Sequence, residues 1–276
     1  MDARQTFEQR ASQVDPAYEV PQASDVPGRE GYGWIAFEGL QNTRDLGGLV
    51  GLDGRRVKSG LLLRSGALGF GTEDDLARLR DEYRVRLVVD LRGDRELEEL
   101  PDPMDKLPGA RYLHANIIDE QAIGIVQDEE SREIARARAA NEKVDFDSFM
   151  PILYEHMLLE QAGVRGYRAF FQELLALEEG AALWHCFVGR DRCGLASALV
   201  ESVLGVPEEV MEADYLATNV YAPAEYTATG PAMLRSFHGA RDAAVREYGG
   251  FTGYVEKALG ITPGEIRDLQ ERYLEQ

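Results

Sequence analysis

The segment His185–Gly194, with the sequence HCFVGRDRCG, carries the side chains of this chain that are best suited to chemistry. It places the thiol of Cys186 six positions before the guanidinium of Arg192. An apolar run precedes the cysteine, and a small-residue helical pattern follows the arginine. A strand, a tight loop and a helix start in this order would turn the backbone N–H groups of residues 187–192 into one concavity. We therefore predict an anion-binding loop at residues 186–192, called the anion loop below.

The chemistry expected of the anion loop is phosphoester hydrolysis with a thiolate nucleophile. A thiol at the first position of such a loop lies in the field of the helix N-terminus, which favours the thiolate form. Arg192 offers a planar fork of N–H donors that can bind two oxygens of one phosphate group. Gly189 permits a backbone angle that other residues resist, and the ring of His185 can hold the shape of the loop. The residues predicted to contact the bound anion are Phe187, Val188, Gly189, Arg190 and Arg192.

Four further segments, taken with the anion loop, resemble the atypical bacterial and fungal tyrosine and lipid phosphatases that are related to mycobacterial protein tyrosine phosphatase B. The loop matches that family's pattern His-Cys-x-x-Gly-(Lys/Arg)-Asp-Arg. The other matching segments are Asn42–Gly48, Leu63–Gly66, Val88–Arg92 followed by Glu96, and Tyr248–Gly250 with Leu259–Gly260. The likeness covers about residues 34–275, so it implies a phosphatase domain over nearly the whole chain.

The order of apolar and helical segments predicts an α/β fold, in which a mostly parallel central sheet is flanked by helices. In such sheets ligands bind at the carboxyl ends of the strands, where Cys186 falls. The resemblance implies a cysteine-dependent phosphatase fold with an inserted helical lid.

Residues 1–30 are polar and interrupted by prolines, which predicts a flexible N-terminal arm. Residues 34–37 are a candidate first strand, and Thr72 can cap a helix further along the chain. Residues 31–276 are expected to form a single phosphatase domain, with the helical lid inserted at about 120–160.

Two aspartates compete for the proton transfers that hydrolysis requires, which are donation to the leaving group and activation of water. Asp191 lies inside the anion loop, and the family resemblance gives its position an essential role. Asp119 stands at the head of the predicted lid, where the family carries an aspartate proposed as a mobile acid. The alternatives are structural: Asp191 can hold Arg190 or a loop N–H group, and Asp119 can belong to a solvated acidic stretch.

Several charged residues end or follow predicted strands, where they can brace the anion loop through ion pairs and hydrogen bonds. Bracing rather than direct contact with a substrate is expected from Arg44, Asp45, Asp90, Arg92 and His185. Arg64, at the end of another predicted strand, is interpreted as a structural partner rather than a ligand.

Two positions of the segment around the anion loop depart from the family pattern. Arg190 stands where lysine is usual, and that lysine is linked in the family to phosphoinositide acceptance, so lipid specificity stays open. Cys193 stands where the family has threonine, whose hydroxyl supports the departing thiolate; a thiol is a weaker hydrogen-bond donor. Cys193 is either a redox partner that forms a disulfide with an oxidised Cys186 or a small apolar residue at the helix start.

Composition limits the remaining classes of function. The net charge of −19 argues against a general affinity for nucleic acid or acidic membranes. No apolar run approaches the ~20 residues that span a bilayer, and the N-terminus lacks an apolar signal core. We therefore expect a cytoplasmic protein without an integral membrane segment. Only two cysteines are present, which excludes a disulfide framework. Because His114, His156 and His238 lack metal-ligand spacing, neither a metal nor a cofactor is expected.

Three functions are consistent with these residues. The first is a phosphatase for phosphotyrosine, phosphoserine, phosphothreonine or a phosphoinositide, with phosphotyrosine favoured. The second is a weakly catalytic module that binds phosphate. The third is a rhodanese-type sulfurtransferase, although its loop normally lacks the Asp-Arg-x-Gly ending seen here. The expected partners are a phosphorylated protein or a phosphoinositide, with phosphate or another oxyanion in the loop.

Overall fold

The centre of the fold is a five-stranded sheet. A computed structural model describes residues 30–118, 146–223 and 230–276 of the chain. The strands are β1 (Arg44–Asp45), β2 (Leu62–Ser65), β3 (Val85–Asp90), β4 (Arg111–His114) and β5 (Ala181–His185). Their order across the sheet is β1-β2-β5-β3-β4, and only the edge pair β1 and β2 is antiparallel. The predicted α/β fold with a mostly parallel sheet is confirmed.

The helices cover both faces of this sheet. They are α1 (Glu73–Asp81), α2 (Asp94–Glu99), α3 (Phe146–Leu159), α4 (Gln161–Ala176), α5 (Asp191–Val203), α6 (Glu208–Leu216), α7 (Thr218–Tyr221), α8 (Leu234–Tyr248), α9 (Phe251–Lys257) and α10 (Pro263–Tyr273). Side chains along β5 alternate between the faces: Leu183 packs in the core under α1, whereas Trp184 packs in the larger core with α4 and α5. Burial on both faces explains the continuous apolar sequence of β5.

The central strands end level with one another, which fixes the position of the anion loop. His185 at the end of β5 pairs with Ser65 at the end of β2 and with Asp90 at the end of β3. The next residue, Cys186, therefore leaves the sheet at the carboxyl edge of three parallel strands. This is the edge at which open α/β sheets bind ligands.

Helices α3 and α8 approach each other closely at a glycine. A Cβ atom on Gly239 would lie 2.2 Å from the carbonyl oxygen of Pro151, so only glycine fits there. Helix α3 lies in the C-terminal part of the predicted lid at about 120–160, which is the part that the structure describes. This packing carries Tyr154, in the middle of α3, toward the carboxyl edge of the sheet, where it contacts Asp191.

Some local predictions hold and one is wrong. Thr72 caps α1 as expected: its side-chain oxygen accepts from the backbone N–H of Asp75, and its own backbone N–H donates to the Asp75 carboxylate. The expected strand at 34–37 does not form: only Trp34 makes an isolated bridge, because Ile35 and Phe37 are held as a loop against α1. The predicted N-terminal arm, Asp119 and the first part of the lid lie outside the described residues, apart from Glu30. Within the described ranges, no helix combines the length and apolarity needed to cross a membrane.

Asp75 organises the turn that leads into the first strand. Its carboxylate accepts hydrogen bonds from the backbone N–H groups of residues 38–40 at 2.9, 2.7 and 3.3 Å and from that of Thr72 at 3.1 Å. Burial raises the pKa of Asp75, but these hydrogen bonds lower it below its ordinary value. The turn fixed in this way delivers Asn42, which contacts the anion loop.

We predict that Asp75→Asn lowers the free energy of unfolding by about 1.5–3 kcal/mol at neutral pH, because hydrogen bonds to a charged acceptor are lost. The pKa of Asp75 is lower in the folded state, so its contribution is full above the unfolded pKa and disappears as the pH falls through the folded one. Urea unfolding at neutral and acidic pH measures the difference. Asp74→Asn, at an exposed position in the first turn of α1, is the control. Equal losses of stability for both variants would contradict the role given to the Asp75 carboxylate.

Candidate active site

The anion loop joins β5 to α5, with the thiol of Cys186 at its base. Cys186 is 2 % exposed, so any group that reacts with it must enter the concavity above it. Gly189 has a φ of +76°, and a Cβ atom there would lie 2.7 Å from the carbonyl oxygen of Ser65. The loop is therefore pressed against the end of β2, and Gly189 is needed both for its backbone angle and for the close approach.

Two side chains hold the carbonyl groups of the loop from outside. The Nδ2 group of Asn42 donates to the carbonyl oxygens of Val188 and Gly189 at 3.1 and 2.9 Å. The Nη2 group of Arg64 donates to the same Gly189 oxygen at 2.8 Å. Asn42 can reach both oxygens because its own backbone is left-handed, with a φ of +56°.

The two preceding carbonyl groups are held in the same way. The Nδ1 atom of His185 lies 3.2 Å from the carbonyl oxygen of Cys186, and the backbone N–H of Ala67 donates to that of Phe187 at 3.0 Å. In a trans peptide the N–H group points away from the C=O group. With four consecutive carbonyls held outside, the N–H groups of residues 187–190 face the concavity. The anion loop is thus an oxyanion site built from backbone donors.

Asp214 of α6 holds the arginine that contacts the anion loop. Its carboxylate pairs with Arg64 at 2.6 Å and with Arg44 at 3.2 Å, and all three side chains are buried. Arg44 also donates to the Asp214 carbonyl oxygen at 2.5 Å. Removing the carboxylate would leave two buried cations without this partner, a strongly destabilising change. Asp214 was not predicted from the sequence, because it lies 170 residues from Arg44 and 150 from Arg64 and belongs to none of the recognised segments.

His185 belongs to a second buried network. Arg92 donates to both oxygens of Asp90 at 2.7–3.0 Å and to Asp102 at 3.0 Å. The Nε2 atom of His185 lies 2.8 Å from the other oxygen of Asp102. Burial lowers the pKa of His185, but the charge of Asp102 raises it above its ordinary value. A protonated His185 donates from Nε2 to Asp102 and from Nδ1 to the Cys186 carbonyl, which ties this network to the anion loop.

Asp90, Asp102 and His185 are also residue types that can bind a metal ion. Ligand atoms of Asp90, Asp102 and His185 lie within 4.8 Å of one another. The guanidinium of Arg92, hydrogen-bonded to both carboxylates, already supplies the positive charge between them. The donor set therefore fits a buried ion-pair network rather than a metal centre. Asp102, like Asp214, was not identified from the sequence because it lies in a loop without a recognisable motif.

The guanidinium of Arg192 is held in place by Glu96. Its Nη2 group donates to Oε1 of Glu96 at 2.8 Å, and Nη1 donates to Oε2. Glu96 also accepts from the backbone N–H of Gly93, at the start of α2. Burial raises the pKa of Glu96, but hydrogen bonding to Arg192 lowers it below its ordinary value, so the pair is ionic. This two-pronged contact fixes the plane of the guanidinium beside the anion loop.

Asp191 makes the contacts of an ionised carboxylate. Its two oxygens accept from Nε of Arg190 at 3.0 Å each, and Oδ1 accepts from the hydroxyl of Tyr154 at 2.5 Å. Burial raises the pKa of Asp191, but the charge of Arg190 lowers it below its ordinary value. Asp191 therefore holds Arg190, as the structural interpretation of this residue predicts. Arg190 itself is turned toward Asp191 and Gly230.

The remaining predicted residues differ in their relation to the loop. Cys193 is buried on α5, and its thiol donates to the carbonyl oxygen of Trp184 at 3.6 Å. Burial raises the pKa of Cys193 to about 12, so it stays a neutral thiol. Cys186 and Cys193 are both free cysteines. Asp45 accepts from the backbone N–H groups of Gly47 and Gly60.

Comparison with known proteins gives consistent matches. The sequence profile described as "Tyrosine phosphatase family" matches residues 35–275. A Cupriavidus necator protein named a tyrosine-protein phosphatase is 29 % identical, over 94 % of this chain and 96 % of its own. A Nostoc commune protein named a tyrosine-protein phosphatase is 26 % identical, over 72 % and 71 %. The solved P. aeruginosa TpbA is 18 % identical over 70 % of this chain and 86 % of its own, with a TM-score of 0.31, too low for a detailed comparison.

We predict that Gly189→Ala weakens binding of the oxyanion vanadate on the order of 100-fold, because the added methyl group displaces the loop from Ser65. Gly60→Ala is the matched control: Gly60 has the same φ of +76°, but nothing lies within 4 Å of its Cβ position. The control should lose stability through backbone strain and keep its vanadate affinity. Calorimetric titration measures both affinities; equal losses would show that strain, not the close approach, disables the loop.

Proposed function

Because the chain belongs to the tyrosine phosphatase family, we propose that it hydrolyses phosphotyrosine in proteins, with Cys186 as the nucleophile. The observation that carries this proposal is the anchoring of four loop carbonyls, which leaves the N–H groups of residues 187–190 facing a buried thiol. Arg192, whose guanidinium is fixed by its ion pair with Glu96, supplies a positive charge for the phosphate. Backbone donors and a guanidinium arranged around one anion also stabilise the charge that develops in the transition state.

The reaction would proceed in two displacements. In the first, the Cys186 thiolate forms an S–P bond while the bond from phosphorus to the tyrosine oxygen breaks, and a carboxylic acid gives that oxygen a proton. In the second, water attacks phosphorus and returns a proton to the carboxylate. Inorganic phosphate leaves, and the Cys186 thiolate is restored. The protein thus needs a carboxyl group that alternates between its two protonation states.

Asp191 and Asp119 are the two candidates for this carboxyl group. The ionised state of Asp191 suits the base of the second displacement. A dianionic phosphate bound beside Asp191 would raise its pKa, since like charges disfavour ionisation, and so favour the acid form needed for the first. Asp119 lies outside the described residues and remains the alternative acid at the head of the proposed lid.

An aromatic pair beside the loop supports an aryl phosphate as the substrate. Phe187, the residue after Cys186, meets Phe70 edge to face, with ring centroids 5.6 Å apart. Phe70 follows β2 and is 44 % exposed, which is unusual for a large apolar side chain. The ring of a phosphotyrosine can pack against this pair, whereas a phosphoserine has no ring to place there.

Four finer features belong to this proposal. The first is a relation to the phosphatases of the mycobacterial protein tyrosine phosphatase B type, which rests on the matching segments. The second is a preference for protein over phosphoinositide substrates, which rests on the contact of Arg190 with Asp191. We also propose a single phosphatase domain over 31–276 and a cytoplasmic location. A module that only binds phosphate is the second candidate, because the Cys193 thiol donates to Trp184 instead of supporting the departing thiolate.

We predict that Cys186→Ser abolishes turnover of phosphotyrosine and p-nitrophenyl phosphate while a phosphotyrosine peptide still binds, because the backbone donors remain. Arg192→Ala should lose at least about 100-fold in both kcat/KM and peptide affinity, since the charge opposite the loop is gone. Arg165→Ala, an exposed arginine on α4, is the control. Steady-state kinetics and calorimetry measure these quantities; turnover by Cys186→Ser near the parent rate would contradict the covalent mechanism.

We predict that Phe70→Ala lowers kcat/KM for a phosphotyrosine peptide by about 5–10-fold and leaves that for a phosphoserine peptide within about twofold, because only the aryl ring loses a packing partner. Leu52→Ala, which truncates another exposed apolar side chain, should change neither value. Paired peptides of one sequence measure the ratio. A parallel fall for both peptides would mean that Phe70 supports the loop rather than the substrate ring.

A further inference from the structure

A chain of buried hydroxyl groups ends on Asp191. The hydroxyls of Tyr154 and Tyr215 lie 2.7 Å apart, and that of Tyr154 lies 2.5 Å from Oδ1 of Asp191. An ionised carboxylate only accepts, so the hydroxyl proton of Tyr154 is directed to Asp191. Tyr215 must then donate to Tyr154. The two rings, which pack edge to face at 6.1 Å and are both buried, leave the hydroxyls no solvent to bond instead.

We infer that Tyr154 is a positioning residue for Asp191, which holds the carboxylate in one orientation and in its ionised form until the phosphate binds. The inference rests on the proposed function, in which Asp191 transfers protons. Tyr154 belongs to α3, the described end of the proposed lid, whereas Asp191 begins α5. The hydrogen bond therefore joins the lid to the anion loop, so the placement of the lid affects the proton affinity of the loop carboxylate.

The arginines and tyrosines around Asp191 keep a constant charge over the pH range of an assay. Among the described residues, the ionisable groups that act on Asp191 include Arg190 and Arg192 on its own segment, Tyr154 from α3 and Tyr215 from α6. Arginine remains protonated throughout. Burial raises the pKa values of both tyrosines above their ordinary range. Titration within this cluster is consequently that of Asp191.

The test is the pH dependence of kcat/KM for p-nitrophenyl phosphate in three Tyr→Phe variants. Tyr154→Phe removes the donor to the carboxylate, so the limb due to Asp191 should move to higher pH by about one unit. Tyr215→Phe removes the hydroxyl that donates to the Tyr154 hydroxyl, so it should move this limb of the pH profile less. Tyr167→Phe is the matched control, because the buried Tyr167 hydroxyl has no hydrogen-bond partner in the described ranges; its profile should coincide with that of the parent.

Two further measurements separate the inference from the proposed function. In the Asp191→Asn background, adding Tyr154→Phe should leave the residual kcat unchanged, because a residue that acts through Asp191 has nothing further to lose. In protein labelled with ¹³C at the aspartate carboxyls, the resonance that Asp191→Asn removes should titrate at higher pH in Tyr154→Phe, whether or not the protein turns over substrate.

The inference would be overturned if Asp191 titrated at the same pH in Tyr154→Phe as in the parent, or if Tyr167→Phe shifted that pH equally. Either result would leave the proposed function intact. A parent protein that hydrolyses no phosphate ester would contradict the proposed function, and the carboxyl titration would still decide the role of Tyr154.

Discussion

The structure depends on the outward anchoring of four consecutive carbonyl groups in the anion loop. An unrestrained loop of this length could point its carbonyl oxygens inward, where they would repel an anion. Asn42, Arg64, His185 and the backbone of Ala67 each hold a carbonyl on the far side, so the planar peptides present their N–H groups to the concavity. These donors are oriented before an anion arrives, which avoids reorganisation at the moment of reaction.

Buried arginines make this anchoring possible. The guanidinium groups of Arg44, Arg64 and Arg92 are fully buried, each with a carboxylate partner. Buried ion pairs of this kind contribute little net stability, because desolvation offsets their attraction. The contribution of Arg64 is geometric, because its rigid fork of donors holds the Asp214 carboxylate with one nitrogen and the Gly189 carbonyl oxygen with another. Loop position is thereby coupled to helix α6 and to the end of β3.

The sequence predicts the parts of the site that depend on local order. The anion loop, the parallel sheet and the cap at Thr72 follow from residue patterns within short segments. Asp102, Asp214 and Tyr154 were not predicted, because their roles arise only when distant segments meet in the fold. The strand expected at 34–37 failed for a related reason: its apolar residues pack against α1 instead of pairing with a neighbouring strand.

The orientation of the loop N–H groups can be observed directly in a crystal structure of the Cys186→Ser protein with a phosphotyrosine peptide. We predict that phosphate oxygens lie within hydrogen-bond distance of the backbone nitrogens of residues 187–190 and of the Arg192 guanidinium, with the carbonyl oxygens of Val188 and Gly189 still hydrogen-bonded to Asn42. A phosphate bound elsewhere, or a loop whose carbonyl oxygens turn toward the anion, would contradict it.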